Sequence, residues 1–293
     1  EATPALVNAA LSEAMQGDGP LVFLAAMTPV DGGETAVMAA LAEAQGETLE
    51  AVAGHAAADW PYQDFGPAGE VVERSVIEDL GVTLVRFANG VRLTIKPTDF
   101  REDQVLVRAS IGTGRSGLPD DRVTPFWAAS SALIEGGLNR INREDLEAVL
   151  ASRVVHSGFG LEDDAFVLSG GARPDDLEVQ LQLLAAYASD PAFAPQAFER
   201  IRTVYANALG QLDATPGGVF SREAAHALRG GDLRWTFPDA EQIASAEVEG
   251  LRDLLAPVLA NAPVELIIVG DVDPDAAIAA AAATFGALPP RSA

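Results

Sequence analysis

Histidine is the side chain of this sequence best suited to binding a transition metal, because the chain contains no cysteine. The three histidines are His55, His156 and His226. Glu223 precedes His226 by three residues, so the two side chains would share a helix face and could provide two ligands to a metal ion. No histidine lies four residues before His226, so we interpret the pair as an ordinary helix surface. His156 falls in a predicted strand. Two interpretations apply to it: a structural or solvent-facing role, and contact with a substrate.

A glycine-rich segment, GTGRSG at 112–117, matches the G-x-G-x-x-G pattern of dinucleotide sites. In such a site the third glycine lies at the start of a helix whose amide groups bind the pyrophosphate. Here Leu118 and Pro119 follow, and the next predicted helix begins only near 125. We therefore predict a flexible loop, with Arg115 at its tip as a candidate contact for a peptide carboxylate or a partner protein.

The acidic stretch DVDPD, residues 271–275, begins like a calcium-binding loop. Ala276 stands where that loop requires glycine, and Ala282 stands where it requires the closing glutamate. The stretch instead predicts the start of a helix, with Asp273 as N-cap and Pro274 in the first turn. No G-x-S-x-G motif marks a nucleophilic serine.

Short apolar strands and longer helices must position these residues. VTLVRF and VRLTIK flank Ala88-Asn89-Gly90, a turn signal typical of a hairpin. The whole pattern predicts an α+β fold, with an antiparallel-rich sheet packed against helices. Predicted strands cover 82–87, 91–96, 104–111, 154–162 and 164–172. Predicted helices cover 142–152, 174–188, 195–213, 216–229 and 247–260, and Asn142 is the predicted N-cap of the first of them.

The two ends of the chain repeat one order of elements. Residues 2–45 read as a helix, a buried strand at 20–27, a loop and an Ala-rich helix, and the segment ending at 286 reads the same way. We therefore predict the tail of a preceding domain at 1–55, a Pro- and Gly-rich interdomain linker at 56–78, and a complete domain of the same type at 79–291.

Charge and hydropathy exclude several classes of function. The chain carries 43 acidic and 19 basic residues, and its net charge of −24 would repel nucleic acid and anionic membrane surfaces. Apolar residues make up 48% of the chain, enough for a sizeable core. No apolar run approaches the ~20 residues of a membrane span. The first residues contain no basic leader, so we expect no intact signal peptide and a piece cut from a longer protein.

Several motifs follow one another in the order found in one peptidase family. They are FANGVRLTIKPT (87–98), VRASIGTGRSGLP (107–119), YASDPAFAPQAFERIR (187–202), DATPGG (213–218) and IIVGDVDPDAAIAAAAATFGALPPR (267–291). Over residues 79–291 the chain resembles a domain of the insulinase/pitrilysin family of zinc metallopeptidases. That resemblance implies repeated α+β domains that pair as halves of a clam shell around a peptide chamber.

In the catalytic domain of this family, a helix carries H-x-x-E-H and a further glutamate follows downstream. The two histidines and the distant glutamate bind zinc, and the glutamate of the motif deprotonates the zinc-bound water. The helix predicted from near residue 125 is followed by Gly136 and Gly137, and we align the motif on these two glycines. The two histidine positions then fall on Trp127 and Ser131, and the base position falls on Ser130. The distant ligand falls near Asn207. These types lack the required chemistry, so the resemblance implies no catalytic residue and no metal ligand in this chain.

The resemblance therefore implies a non-catalytic domain, the third of a four-domain chain, with zinc held in a catalytic domain of the parent protein. Expected partners are that catalytic half, in the same polypeptide or a homologous subunit, and a peptide substrate; a homo-oligomer is also allowed. Bacterial relatives of this layout are often exported, which allows a periplasmic location. Two other interpretations stay open: a non-proteolytic scaffold resembling core subunits of respiratory complexes, and an acidic module that binds basic peptides.

Overall fold

The described part of the first of two compact units contains two helices. The computed structural model describes residues 3–16, 21–26, 28–46 and 59–291. The chain divides into the units Glu1–Gly54 and His55–Ala293. In the first unit, α1 covers Pro4–Ala14 and α2 covers Gly33–Gly46, and neither helix contains a buried residue. Thr3 caps α1 by accepting a hydrogen bond from the backbone N–H of Leu6 over 3.3 Å.

The buried strand predicted over 20–27 is not formed. Residues 21–26 have no regular secondary structure and are all exposed, while residues 20 and 27 lie outside the described ranges. A strand requires a neighbouring strand to pair its backbone N–H and C=O groups. The described part of the first unit contains no such neighbour, so an apolar run alone was insufficient evidence for a strand here.

The second unit is built on one seven-stranded sheet with the order β1-β2-β3-β7-β4-β6-β5. Its strands are β1 (Val71–Ile77), β2 (Val82–Phe87), β3 (Arg92–Pro97), β4 (Val105–Ile111), β5 (Gly158–Leu161), β6 (Phe166–Ala172) and β7 (Val264–Gly270). β3 and β7 run parallel, and the other neighbouring pairs of this sheet are antiparallel. The predicted antiparallel-rich α+β fold is confirmed.

Eight helices of the second unit connect these strands and pack on them. They are α3 (Ala129–Glu135), α4 (Arg143–Leu150), α5 (Leu177–Ser189), α6 (Pro195–Asp213), α7 (Pro216–Leu228), α8 (Ala240–Ser245), α9 (Val248–Asn261) and α10 (Pro274–Ala283). Short 3-10 helices cover Gly114–Gly117, Pro125–Ala128, Pro174–Asp176, Leu233–Trp235 and Phe285–Ala287. Within the described ranges, no helix combines the length and apolar character that crossing a bilayer requires.

The two faces of the sheet differ in burial because side chains alternate along each strand. In β4, Val105, Val107 and Ala109 are buried, whereas Leu106 between them is exposed. β7 shows the same alternation. Helices α5 and α10 pack on the buried face, which carries the hydrophobic core. The opposite face is lined by charged, polar and scattered aliphatic side chains.

The predicted linker at 56–78 differs from the structure over most of its length; residues 56–58 lie outside the described ranges. The indole Nε1 of Trp60 donates to Oε1 of Gln182 over 2.8 Å. The hydroxyl of Tyr62 donates to Oδ2 of Asp190 over 2.7 Å, and Tyr62 is buried. Residues 71–77 then form β1, paired with β2. Residues 59–69, which we call the strap, are therefore packed on the second unit, because two aromatic side chains find partners there.

The strand predicted at 154–162 begins only at Gly158. The side chain of Gln180 explains this: its Oε1 accepts from the backbone N–H of His156 over 2.9 Å, and its Nε2 donates to the His156 carbonyl over 2.8 Å. These bonds occupy backbone groups that a strand would use. Two predicted N-caps are confirmed, since Asn142 accepts from Asp145 N–H and Asp273 accepts from Ala276 N–H, both over 2.9 Å.

Candidate functional site

The helix predicted to match the zinc helix starts irregularly. A 3-10 turn covers Pro125–Ala128, and α3 continues from Ala129 to Glu135. Thr124 is extended but makes no side-chain capping hydrogen bond. A 3-10 turn has about three residues per turn, so Trp127 and Ser131 do not share the regular i, i+4 geometry that two metal-binding histidines need.

The exposed side of α3 carries the serines. Ala129, Ala132 and Leu133 are buried against the rest of the domain, where α3 packs on β5 and α6. Ser130 and Ser131 are both exposed. The positions predicted for the base and the second ligand therefore face solvent, as a reactive site would require, but they hold neutral hydroxyl groups.

Trp127 fills the space between α3 and α6 with an aromatic cluster. Its ring centroid lies 4.7 Å from that of Tyr205 and 6.0 Å from that of Phe198. Phe237 stacks on Tyr205 at 5.9 Å. Burial raises the pKa of Tyr205, since its ring is covered by these neighbours. The cluster gives Trp127 a packing role.

Asn207 does not face this cluster. It lines a groove of about 320 Å³ between α6 and α8, together with Ala206 and Ile243. Successive helical residues are rotated by about 100°, so Asn207 lies about 200° around α6 from Tyr205. The α6 side chains that lie against Trp127 are Phe198 and Tyr205. The assignment of Asn207 to the position of the distant ligand stays a prediction.

The residues at these positions do not fit zinc. An indole has no lone pair available for a metal, and neutral serine and tyrosine hydroxyls and an asparagine amide are weak zinc ligands. Throughout the described ranges, no group of three or more histidine or acidic side chains is arranged to hold a metal ion. The side chains at these predicted positions therefore supply no strong zinc donor and no carboxylate or imidazole base.

Arg115 is half-buried and bound by its own domain. Its backbone N–H donates to the carbonyl of Glu162 over 2.9 Å, and its Nη1 donates to the carbonyl of Arg234 over 2.7 Å. Burial lowers the pKa of Arg115, with the positive charge of Arg229 acting in the same direction. Its guanidinium also lies 6.0 Å from the ring centre of Trp235. Contact with a substrate or partner stays a prediction for this residue.

Asp163 holds the surroundings of Arg115 together. It accepts from Nη2 of Arg229 over 2.5 Å and from the indole Nε1 of Trp235 over 3.0 Å. These two hydrogen bonds, that from Arg229 first, lower the pKa of Asp163. The guanidinium of Arg229 also covers the Trp235 ring at 4.5 Å. The glycine-rich loop is thereby joined to the β5–β6 turn and to the segment after α7.

His156 lies at the opposite end of β5 from Arg115. The residue is exposed, and its Nδ1 is 3.2 Å from the carbonyl oxygen of Gly171. It borders a shallow cavity of about 250 Å³ whose wall includes Leu146, Leu150 and Leu183. The structure therefore does not bring the two predicted contact residues, His156 and Arg115, into one site. A substrate contact by His156 stays a prediction.

His226 lies in the last turn of α7. Its Nδ1 is 2.6 Å from the hydroxyl oxygen of Thr236 and 3.4 Å from the carbonyl oxygen of Asp232. The ring thereby joins α7 to the segment that follows it. Glu223, its neighbour on the helix, instead pairs with Arg222 at 2.9 Å. His55, the third histidine, lies outside the described residues.

Comparisons with known proteins place this geometry in context. No family model matches the chain. Stromal processing peptidase of Arabidopsis thaliana is 21% identical over 197 residues, 66% of this chain and 16% of that protein. The same peptidase of Pisum sativum is 23% identical over 216 residues, 71% of this chain and 17% of that protein. The chain thus spans about a sixth of the length of these curated relatives.

Solved structures match the fold over a larger share of the chain. The periplasmic protease PqqL from Escherichia coli superimposes with a TM-score of 0.71 over 89% of this chain and 29% of its own, at 18% identity. The inactive domain of an M16 peptidase from Pseudomonas fluorescens gives 0.60 over 73% of this chain and 53% of its own, at 22% identity. The chain has the fold of the M16 peptidases. The resemblance to the insulinase/pitrilysin family is confirmed at the level of the fold.

A further M16 structure contains a protein bound to the protease. The ferredoxin protease FusC, solved in complex with Arabidopsis ferredoxin, gives a TM-score of 0.67 over 88% of this chain and 28% of its own, at 17% identity. FusC and PqqL are thus M16 chains several times longer than the part that this chain covers. The P. fluorescens structure is an example of an inactive domain with this fold.

The strap is the part of the second unit that the sequence did not predict. Besides its bond to Asp190, the Tyr62 hydroxyl accepts from the backbone N–H of Arg140 over 3.0 Å. The Arg140 guanidinium covers the Tyr62 ring at 5.1 Å. Burial, the largest cause, and the bond to Asp190 raise the pKa of Tyr62 well above its ordinary value. Three aromatic residues in the short run DWPYQDF were the available signal, since a solvated linker rarely carries so many apolar rings.

Proposed function

We propose that this chain is a non-catalytic fragment of a zinc metalloendopeptidase that cleaves peptides or small proteins. In the parent protein it would form part of the chamber wall, hold substrate and dock to the catalytic half. That half, in the same polypeptide or a homologous subunit, would carry the zinc ion and the base. The much greater length of the matched peptidases supports a parent that contains more than this chain.

The observation that carries the proposal is the chemistry of α3. In an M16 fold, this helix takes the place predicted for the zinc motif, yet Trp127, Ser130 and Ser131 offer no zinc ligand and no base. Trp127 is instead stacked on Tyr205. A helix that has kept its packing contacts without its reactive groups fits a domain whose work is structural.

Two comparisons support a polypeptide substrate for the parent protein. The curated relatives are named processing peptidases, and FusC was solved with ferredoxin. We infer a polypeptide substrate from these relatives.

The test is the zinc content of the purified chain. After chelator washing, zinc reloading and desalting, elemental mass spectrometry should find nearly no zinc, because the predicted ligand positions hold Trp127, Ser131 and Asn207. The same preparation should not cleave a mixture of fluorogenic peptides. About one zinc per chain, or cleavage that a chelator abolishes, would contradict the proposal.

Sequence upstream of this chain separates the peptidase from the scaffold of the same fold. An H-x-x-E-H motif in an earlier domain of the parent supports the peptidase. Its absence from the parent and from any co-purifying subunit would favour the scaffold.

A further inference from the structure

β1 is an unprotected edge of the sheet. It is the first strand in the sheet order and pairs only with β2 among the described strands. All seven of its residues are exposed. Among them, Val72 and Val76 are 44% and 48% exposed. An edge strand presents alternate backbone N–H and C=O groups to solvent, and proteins normally cover or charge such an edge.

The usual protective devices are weak along this strand. β1 contains no proline and no lysine, and its charged residues are Glu73 and Arg74. Both are already paired within the chain, Glu73 with Arg86 at 3.1 Å and Arg74 with Asp275 at 2.8 Å. A register irregularity lies between Val71 and Glu73, which leaves residues 73–77 as the regular part of the edge.

We propose that β1 pairs with β1 of a second copy of this chain, so that the two sheets join edge to edge. A two-fold axis perpendicular to the sheet makes the two strands antiparallel and keeps the buried faces on the same side. Residues opposite each other then share a face of the sheet. The axis therefore lies midway between the two copies of one residue of β1, which face each other. This pairing is independent of the peptidase function proposed above.

The charges of β1 select the position of that axis. An axis at Glu73 or at Arg74 would place like charges directly opposite each other, which is unfavourable. An axis at Ser75 places Ser75 opposite itself, Arg74 opposite Val76 and Glu73 opposite Ile77, and it aligns residues 73–77 of both copies. An axis at Val76 aligns only residues 75–77. The register centred on Ser75 therefore combines the longest overlap with no like-charge pair.

Charge also favours a second copy at this edge over most of the remaining surface. The chain carries a net charge of −24, so two copies repel each other on average. β1 has one acid and one base and is therefore neutral. The strand is also an edge with exposed valines and open backbone N–H and C=O groups. These features together favour the addition of another strand.

A cysteine introduced at the axis tests the pairing directly, because the full chain has no thiol of its own. In the proposed register the two Cα atoms of residue 75 lie about 4.5–5.5 Å apart, within the range that a disulfide spans. Mild oxidation of Ser75→Cys should convert most of the chain into a covalent dimer. Val204→Cys on α6, where the side chain is 60% exposed, is the control for random collisions and should stay monomeric on a non-reducing gel.

Two substitutions of Val76 test the register. Val76 lies opposite Arg74 of the second copy, so Val76→Glu should preserve the dimer and Val76→Lys should shift it towards monomer in sedimentation experiments. The overall negative charge predicts the reverse order, because the lysine variant is the less acidic of the two. The two explanations are therefore distinguishable.

Three results would overturn the proposal. The wild-type chain could sediment as a monomer at all concentrations tested. Ser75→Cys could crosslink no faster than Val204→Cys. The two Val76 variants could also associate equally, which would assign any dimer to another surface, such as the exposed apolar residues Leu6 and Leu11 of α1.

Discussion

At the scale of single residues, Asp176 is a buried carboxylate that holds two segments together. It accepts from the backbone N–H of Val154 over 3.0 Å and from Nη1 of Arg153 over 3.1 Å. Nη2 of Arg173 donates to it over 3.1 Å. Burial would raise its pKa, but these three hydrogen bonds outweigh burial and hold the pKa of Asp176 below its ordinary value.

We predict that Asp176→Asn lowers the free energy of unfolding by about 1.5–3 kcal/mol at neutral pH. A carboxyl whose pKa is lowered in the folded state stabilises the protein above the unfolded pKa, about 3.9, and that contribution disappears as the pH falls through the folded value. The difference between wild type and variant should therefore shrink below about pH 4. Urea unfolding at several pH values measures it.

Glu162→Gln is the matched control for this measurement. Glu162 forms an ion pair with Arg108 at 2.6 Å, but both side chains are largely exposed. Solvent screens such an exposed pair, so this variant should change stability much less than Asp176→Asn at every pH. A gap between wild type and Asp176→Asn that stays constant down to acid pH would mean that charge on Asp176 does not stabilise the fold.

Sequence predicted residue roles well where the partners are close along the chain. The caps Asn142 and Asp273 each bond to a backbone group three residues ahead, so their type and position sufficed. Asp176 bonds to Val154, 22 residues away, and Tyr62 to Asp190, 128 residues away. No local pattern encodes such pairs, because tertiary packing decides which side chains meet.

At the scale of elements, α6 could be predicted from local sequence signals, whereas β1 could not. The predicted bounds of α6, 195–213, agree with the structure because Pro195 marks its start and its apolar residues repeat at helical spacing. β1 was missed within the predicted linker. Its residues are exposed on both faces, so it lacks the alternation that marks a half-buried strand, and only its pairing with β2 reveals it.

The glycine-rich loop is an element whose packing the sequence did not predict. Gly114–Gly117 forms a 3-10 turn and not the first turn of an α-helix, on which the dinucleotide motif depends. Gly114 has φ +56°, and a Cβ built there would lie 2.3 Å from the backbone N of Ala165. The glycine is needed because the loop lies directly against the β5–β6 turn.

We predict that Gly114→Ala lowers the free energy of unfolding by more than about 3 kcal/mol, since it combines a left-handed conformation with a clash against backbone. Gly230→Ala separates the two costs. Gly230 has φ +67°, but a Cβ there meets nothing within 4 Å, so only the conformational cost of about 1–2 kcal/mol applies. Equal losses in urea unfolding would show that the close approach to Ala165 is unimportant.

At the scale of the whole molecule, an ordered set of weak motifs predicted the fold better than it predicted the site. Each motif reports a local turn or helix end, and their order is fixed by the topology, so together they point to one architecture. Arg115 and His156 were each plausible contacts, yet they lie at opposite ends of β5. Whether chemical groups converge depends on strand order, which this pattern does not specify.

The strap gives a prediction about where the folded unit begins. Chains starting at Asp59 and at Gly69 differ by residues 59–68, whose side chains contribute three hydrogen bonds to the rest of the unit and the buried ring of Tyr62. Those contacts amount to roughly 3 kcal/mol, so the shorter chain should melt roughly 6–12 °C lower than the chain from Asp59. The chain from Asp59 should keep the cooperative transition of the full chain, because it contains nearly all of the second unit.

Differential scanning calorimetry of the full chain and both truncations measures these melting temperatures. Replacing Trp60 and Tyr62 together by alanine in the full chain removes the same contacts without shortening it, and it should reproduce the loss. If the chain from Gly69 and the chain from Asp59 had the same melting temperature, residues 59–69 would be the solvated linker that their proline and glycine content first indicated. A loss shared by the truncation and the double variant would instead assign the strap to the domain, because the two aromatic side chains are what these proteins have in common.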